Sequence, residues 1–327
     1  MSDSAPTLDV RPARPGDRDA VFAFCAHTWP EGDYIPDVWD DWLADPDGAL
    51  LVAVRGERPM GLVRLRMMSP EEGWIEGIRV DPAARGQGIG RVLVSRALAA
   101  AHERGATVVR LFTDHDNLPA QAIFARFGFT RIAEVVRYRA PALEDAPETL
   151  AGLADAGSSA STPDDSPAAP VDEGDDAMPE GARITTPGAD HFERVWAWLV
   201  QSNLAPLTGG LEFDGWSARA LTEPFLRGEM AAGRVYVLEE WDTILALAVV
   251  QDFLGSAGEP SSLDVRYIDG LSESIGRLAF VLREVAQERG LSGVTLWLPD
   301  LLILHDAMDG AGYASESDAM WVYARTL

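Results

Sequence analysis

Lysine is absent from all 327 residues, so the 27 basic side chains are all arginines, and against 52 acidic residues they leave a net charge of −25. A field of that sign repels phosphate backbones and draws cations, which argues against nucleic acid as a partner and favours amines. Cysteine is nearly absent as well. Cys25 alone can form neither an intramolecular disulfide nor a multi-cysteine zinc site; no metal is expected, and such cysteine usage fits a reducing cytoplasm. The apolar stretches are broken by charge before the roughly 18 residues of a membrane span. The first residues, Met-Ser-Asp-Ser-Ala-Pro, lack the basic and apolar regions of a secretory leader. Neither a membrane nor a targeting segment is expected.

What is present is an ordinary globular composition, 47% hydrophobic and 24% charged, in a chain long enough for two domains. The charge is unevenly spread. Residues 1–140 are nearly balanced at −3, residues 141–182 carry 11 acids and no base, and residues 183–327 stand at −11. The middle segment is crowded with Pro, Ala, Gly, Ser and acids, a composition that cannot bury enough apolar surface to offset its ordering entropy. The expected organisation is therefore domain 1 at 1–140, a disordered acidic linker at 141–182, and domain 2 at 183–327.

Domain 1 alternates strand and helix signals. Strands are expected at Thr7–Arg11, Leu50–Arg55, Met60–Met67, Trp74–Val80, Val108–Thr113 and Ile132–Tyr138. Helices are expected at Arg18–Thr28 with Asp17 as cap, Val38–Ala44, Ile89–Arg104 and Pro119–Phe127. This pattern makes an α/β domain on a mixed sheet. Cys25 shares an apolar helix stripe with Val21, Phe22 and Phe24, the setting of a core thiol rather than a nucleophile.

Between Val80 and Arg91 a strand runs through Asp81-Pro82 into Arg85-Gly86-Gln87-Gly88-Ile89-Gly90-Arg91 and opens a helix. Glycines bring backbone N–H groups close to a ligand, and a helix N-terminus adds about half a positive charge, so this loop can hold a pyrophosphate. Its glycines fall at alternate positions. The dinucleotide fingerprint G-x-G-x-x-G is thus not met, and no Gly-Lys-Ser/Thr marks a P-loop.

These residues resemble the GNAT superfamily of acetyl-CoA-dependent acyltransferases, whose R/Q-x-x-G-x-G/A signature is met by Arg85 or Gln87 and the glycines that follow. A second block is met by Asn117, Ala120 and Arg126-Phe127-Gly128-Phe129. The resemblance covers residues 7–140. It implies a splayed, mixed β-sheet flanked by helices, with main-chain groups around Ile78 and Val80 binding the acetyl carbonyl and pantetheine in the splay. It further implies that residues 85–91 cradle the pyrophosphate and that Asn117 touches the pantetheine arm. In many members a tyrosine in the helix after that asparagine protonates the departing thiolate. Phe124 stands there, able to pack on coenzyme A but not to donate a proton, so either another group, with Tyr34 and Tyr138 as candidates, or water serves, or no acid is needed because the thiol leaves tolerably as thiolate.

Transfer to nitrogen needs a neutral amine, and an alkylammonium has a pKa near 10, so a carboxylate beside the acceptor is useful. Glu76 lies two residues before Ile78, and strand alternation puts it on the face of Ile78 and Val80; it is the expected base or amine anchor. The competing reading is a strand carboxylate paired with Arg64, Arg66 or Arg79. The segment Trp29–Trp39 stands where the family builds its acceptor wall, with Asp33, Tyr34 and Trp39 as expected substrate contacts.

Domain 2 reads as a worn repeat of domain 1. Ile275-Gly276-Arg277 answers Ile89-Gly90-Arg91, and Gly310-Ala311-Gly312-Tyr313 answers Phe127-Gly128-Phe129. Its loop, Gly270-Leu271-Ser272-Glu273-Ser274, has lost the arginine and gained an acid, so a degenerate GNAT-like domain that supports the first, or closes its acceptor cleft, is expected. The reading as a whole is an acetyl-CoA-dependent N-acetyltransferase that acts on a primary amine of a small molecule or amino acid by direct attack in a ternary complex. The alternative is a non-catalytic acyl-CoA sensor. Contact between the two domains is expected, and a homodimer is left open.

Overall fold

The computed structural model describes residues 7–30, 32–143, 181–255 and 261–327; the expected linker falls almost wholly, and Glu31 wholly, outside the described residues. The first half runs β1 (Leu8–Pro12), α1 (Arg18–Cys25), α2 (Ile35–Ala44), β2 (Ala49–Arg55), β3 (Arg58–Ser69), β4 (Glu72–Val80), α3 (Ile89–Glu103), β5 (Val108–Asp114), α4 (Leu118–Arg126) and β6 (Thr130–Pro141). The second half begins β7 (Ala182–Thr185), α5 (Phe192–Leu199), β8 (Leu211–Asp214), β9 (Ser217–Ala220), α6 (Glu223–Ala231), β10 (Val235–Glu240) and β11 (Thr243–Phe253). It ends with β12 (Ser262–Gly270), α7 (Ser272–Glu288), β13 (Gly293–Pro299), α8 (Leu302–Gly310), β14 (Ala314–Ser315) and β15 (Met320–Thr326). No described helix is long and apolar enough to cross a membrane.

The elements expected in the first half are present, with two differences. Asp17 does not cap α1. Its carboxylate takes two hydrogen bonds from the Arg11 guanidinium and one from the Arg14 backbone N–H, closing the turn before the helix. Helix α2 starts at Ile35 rather than Val38, because the Asp33 carboxylate accepts the Ile35 N–H at 3.1 Å and so supplies a cap.

The two halves share a single sheet. Its strand order is β1-β2-β3-β4-β5-β15-β6-β13-β12-β11-β10-β7, with β14 beside β6. The chain's last strand lies between two strands of the first half: Tyr323 is opposite Leu111 of β5, and Met320 is opposite Val135 of β6. In return, Val135–Pro141 of β6 pair with the whole of β13, with Tyr138 opposite Leu296. The boundary expected at residue 140 therefore separates two stretches of sequence but not two sheets.

Each half uses the same device. Strands β4 and β5 pair in parallel only over Glu72–Trp74, opposite Val108–Arg110, and β12 and β13 only over Leu263–Val265, opposite Val294–Leu296. Beyond those residues the strands diverge. In the first half the sheet carries α3 on one face, over Leu65, Ile75 and Leu111 and in one core with Phe124 of α4, and α1 with α2 on the other, over Val52 and Leu62. In the second half Ile268, Ile275, Leu298, Leu304 and Met308 belong to one core.

Candidate active site

The anion loop has the form the sequence implies. Asp81 accepts the Ala83 N–H at 2.9 Å and starts a tight turn over Pro82–Ala84. Gly86 (φ +77°) and Gly88 (φ +81°) then occupy left-handed backbone that other residues rarely adopt, and Gly88 caps α3. Gln87 accepts a hydrogen bond from Arg55 at 2.7 Å. Arg85 and Arg91 are exposed and make no ion pair among the described residues, whereas most arginines of this chain are paired. Two guanidiniums with no ion pair among the described residues thus stand beside the N-terminal N–H groups of α3, an arrangement able to attract an anion. Ile89 and Gly90 are buried beneath it, and Ile123 of α4 packs close to Gly90.

Ile78 and Val80 lie on the part of β4 that has left β5, packed against the α3 core. Asn117 caps α4 through its Oδ1, which accepts the Ala120 N–H at 3.3 Å; this leaves its amide nitrogen free to donate. Phe124 is 3% exposed and packs with Phe129 and Tyr323. Tyr323 comes from β15 and was not singled out by sequence. Tyr138 belongs to the other core, where its hydroxyl meets His305 Nδ1 at 2.8 Å and burial pushes its pKa up to about 12, so it is no proton donor to this site.

Strand alternation does not put Glu76 beside Ile78. The β3–β4 register shifts between Leu62 and Arg64, so that Arg79 faces Leu62 and Glu76 faces Arg64, with Gly77 and Ile78 opposite one residue. Gly77 takes φ +64° at this bulge. As a result Ile75, Ile78 and Val80 point to the α3 core, while Glu76 points to the α1–α2 face. The bulge thus puts Ile78 and Val80 on one face of the sheet and Glu76 on the other. A Cβ at Gly77 would lie 2.7 Å from the Trp42 ring. Gly77→Ala is expected to cost about 2–3 kcal/mol, from left-handed strain plus displacement of Trp42, with thermal unfolding as the measure.

On that face, Arg64 donates to Asp45 at 2.9 Å, approaches Glu76 at 3.2 Å and lies 4.8 Å over Trp42. Burial raises the Glu76 carboxyl above the usual range, and Asp45 and Asp214 add to this, while Arg64 and Arg66 pull it back. Tyr34 and Trp29 stack at 6.1 Å on one side, each about 40% exposed, with Arg79 over both rings. Two expected substrate contacts are corrected. Trp39 is fully buried against Phe22, since Ile35, Trp39 and Trp42 form one helical stripe that faces the sheet. Asp33 has no exposed side-chain surface and is held by Arg79 at 2.7 Å. Both serve the wall rather than its surface.

The second half adds a hairpin to this face of the sheet. Strands β8 and β9 form a hairpin whose Gly215 (φ +59°) begins the turn. It lies over Trp74, Phe112 and Trp297. Arg66 bonds Asp214 at 3.1 Å and Ser217 at 3.3 Å; Trp297 Nε1 donates to Gly215 O at 2.9 Å; and the Ala220 N–H donates to Glu72 at 3.0 Å. Beneath the hairpin the fully buried Glu212 joins Arg266 and Arg219. Removing one member of such a buried set strands the other charges, which is why the hairpin stays in place. Among the described residues no group of three or more potential metal ligands occurs.

Comparison with known proteins agrees with this geometry. Residues 18–129 match the model of the acetyltransferase (GNAT) family. A mycothiol acetyltransferase of Kineococcus radiotolerans is 39% identical over 148 residues, covering 42% of this chain and 48% of that protein. One from Catenulispora acidiphila is 30% identical over 164 residues, covering 42% and 52%. The chain thus spans about half the length of the curated relatives it matches. A GCN5-related N-acetyltransferase from Sphaerobacter thermophilus shares the fold over 99% of this chain and 97% of its own, with TM-score 0.60 and 15% identity. A candidate acetyltransferase from Thermoplasma acidophilum does so over 98% and 100%, with TM-score 0.53 and 15% identity. The chain therefore carries, at residues 18–129, an acetyltransferase domain of the GNAT family.

Proposed function

We propose that the chain transfers the acetyl group of acetyl-CoA to a primary amine of a small molecule, in a ternary complex assembled on its first half. The observation that carries this reading is the juxtaposition at β4. One face and the diverging edge lead to the unpaired Arg85 and Arg91 at the start of α3, and the other face presents Glu76 between aromatic walls. Coenzyme A would supply the acyl thioester. Arg85, Arg91 and the N–H groups of residues 86–90 would hold its pyrophosphate, and the β4 main chain around Ile78 and Val80, with Asn117, its pantetheine arm. Glu76 takes the proton that the acceptor ammonium must lose. The freed nitrogen lone pair forms the C–N bond, the C–S bond breaks, and the nitrogen, cationic once acylated, gives up its second proton to solvent. Solvent protonates the thiolate, whose modest basicity needs no dedicated acid in the place of Phe124.

Because matched relatives are named mycothiol acetyltransferases, mycothiol-related compounds belong among the acceptors to be screened. Release of free thiol from acetyl-CoA, screened over amino acids, polyamines, aminoglycosides and amino sugars, tests the reading. Acetyl-CoA binding without turnover on any amine would favour the sensor instead.

The loop makes a further prediction. Arg85→Ala and Arg91→Ala should each weaken acetyl-CoA binding by about five- to tenfold, the scale of one partly screened charge-assisted contact. Calorimetry should also give one site per chain. The second half keeps no equivalent loop: α7 has Glu273 in its first turn, paired with Arg277, where an acid opposes a pyrophosphate.

A further inference from the structure

The segment before α2 is tied to β4 through a side chain that the transfer chemistry leaves unused. Arg79 divides its guanidinium between two partners. Nε and Nη2 donate to the Asp33 carboxylate at 2.7 and 3.3 Å, and Nη1 donates to the carbonyl oxygen of Ile78 at 3.2 Å. Asp33 has no exposed side-chain surface, and its Oδ1 also accepts the Ile35 N–H at the start of α2. The same guanidinium lies 4.6 Å over Trp29 and 5.3 Å over Tyr34. From Tyr34 the contacts lead back to Glu76. The Tyr34 ring meets Trp42 edge-on at 5.9 Å, Trp42 packs on Gly77 and lies 4.8 Å under Arg64, and Arg64 is 3.2 Å from Glu76. The aromatic wall is thus fastened to β4 twice across the bulge, by packing at Gly77 and by hydrogen bonds at Ile78 and Arg79.

A buried ion pair adds little stability over an apolar pair of the same shape, so its main effect is on what it orients. This one orients two things. Its Asp33 end holds the segment that carries Trp29 and Tyr34. Its bond to Ile78 fixes the tilt of the planar peptide unit joining Ile78 to Arg79, on the stretch of β4 that has parted from β5. A rigid fork of five N–H donors can do both at once, and the ammonium of a lysine has no such fixed geometry. We infer that Arg79 is a positioning residue for the transfer: it locks the wall of Trp29 and Tyr34 to the Ile78 main chain and so fixes where the acceptor nitrogen stands relative to the acyl carbonyl. The inference rests on the transferase reading, in which the β4 main chain holds the acyl-carrying arm.

The test uses the panel amine that the parent turns over fastest, and compares Arg79→Lys with the double substitution Arg79→Met, Asp33→Leu. R79K keeps a cation beside Asp33 but loses the fork. It should lower kcat about tenfold, within the roughly 10²-fold that a misplacement of about 1 Å can cost. The double variant removes both charges and strands neither, so its unfolding temperature should match the parent's while kcat stays down by about tenfold or more. In both variants the acetyl-CoA affinity should hold, and the rise of kcat with pH should keep its midpoint, because Glu76 pairs with Arg64. A parent-like kcat in R79K, or in a double variant that melts with the parent, would leave the pair a structural role only and overturn the inference. A loss confined to acetyl-CoA binding would put Arg79 on the cofactor's side and overturn it as well. Where the double variant fails to fold, R79K alone decides. A parent that binds acetyl-CoA yet acetylates no amine of the panel would overturn the transferase reading itself, and the inference with it.

Discussion

Glu76→Gln should lower turnover by about 10²-fold or more near neutral pH, the usual scale for one general base, with acetyl-CoA affinity unchanged. The sign of its pH dependence follows from burial. The Glu76 carboxyl is pushed above the ordinary carboxylate range by desolvation, and its protonated form cannot accept a proton. In the parent, activity should therefore climb as pH rises through that elevated value and level off once Glu76 is ionised. In the variant this limb should vanish. What remains is the acceptor's own titration, so the loss should shrink toward pH 9 and above, where free amine becomes plentiful. Stability should move the other way. A carboxyl whose folded pKa is raised favours folding most when it is protonated and loses that contribution as pH rises, so an uncharged glutamine at pH 7 carries no such penalty. Arg64 keeps its bond to Asp45 and its place over Trp42 in the variant. A pH–rate profile and a melting curve on the same preparation separate the two roles. A lower unfolding temperature with unaltered pH dependence would make Glu76 merely the partner of Arg64.

The features legible in the sequence were those set by local chemistry. The turn at Asp81–Pro82, the left-handed glycines and the start of α3 are each fixed by residues within a few positions, and all stand where the sequence puts them. The stripe of Ile35, Trp39 and Trp42 was also on the page. Spacings of four and three predict a buried helical face, and that pattern outweighs any preference of aromatic residues for ligands. The bulge had its own signal, since an isolated glycine inside a strand pattern marks one, and Gly77 is such a glycine. Assuming unbroken alternation through Gly77 put Glu76 on the wrong face. The place of the β8–β9 hairpin was harder to find, because where it docks depends on Arg66, Glu72 and Trp297, up to about 150 residues away. The place of β15 was not legible either. Two halves with the same strand layout offer the same kind of edge, and β15 has a full set of partners beside β5 whatever its distance in sequence.

That exchange leads to the other large effect expected. Removing Met320–Leu327 should abolish acetyl-CoA binding even though every residue of the Arg85–Arg91 loop is retained. Strand β15 pairs with β5 over seven residues and with β6 over five. Its Met320 and Val322 sit in the core under the hairpin, and its Tyr323 packs on Phe124 in the core under α3. Deleting it takes three buried side chains from two cores at about 2–4 kcal/mol each. It also leaves β5 with only its three-residue pairing to β4 and the first half of β6 unpaired, a combined loss on the scale of a domain's whole margin of about 5–15 kcal/mol. For the same reason residues 1–143 alone, which hold the whole family match, should fail to give a soluble, cooperative fold. Supplying residues 181–327 as a separate chain should restore binding, because that piece carries both β15 and β13, the two neighbours of β6. Circular dichroism, thermal melts and calorimetry on the truncation, on the excised half and on the mixture decide the matter. A folded 1–143 fragment that binds acetyl-CoA like the full chain would show that β15 is an accessory to the active half rather than a part of it.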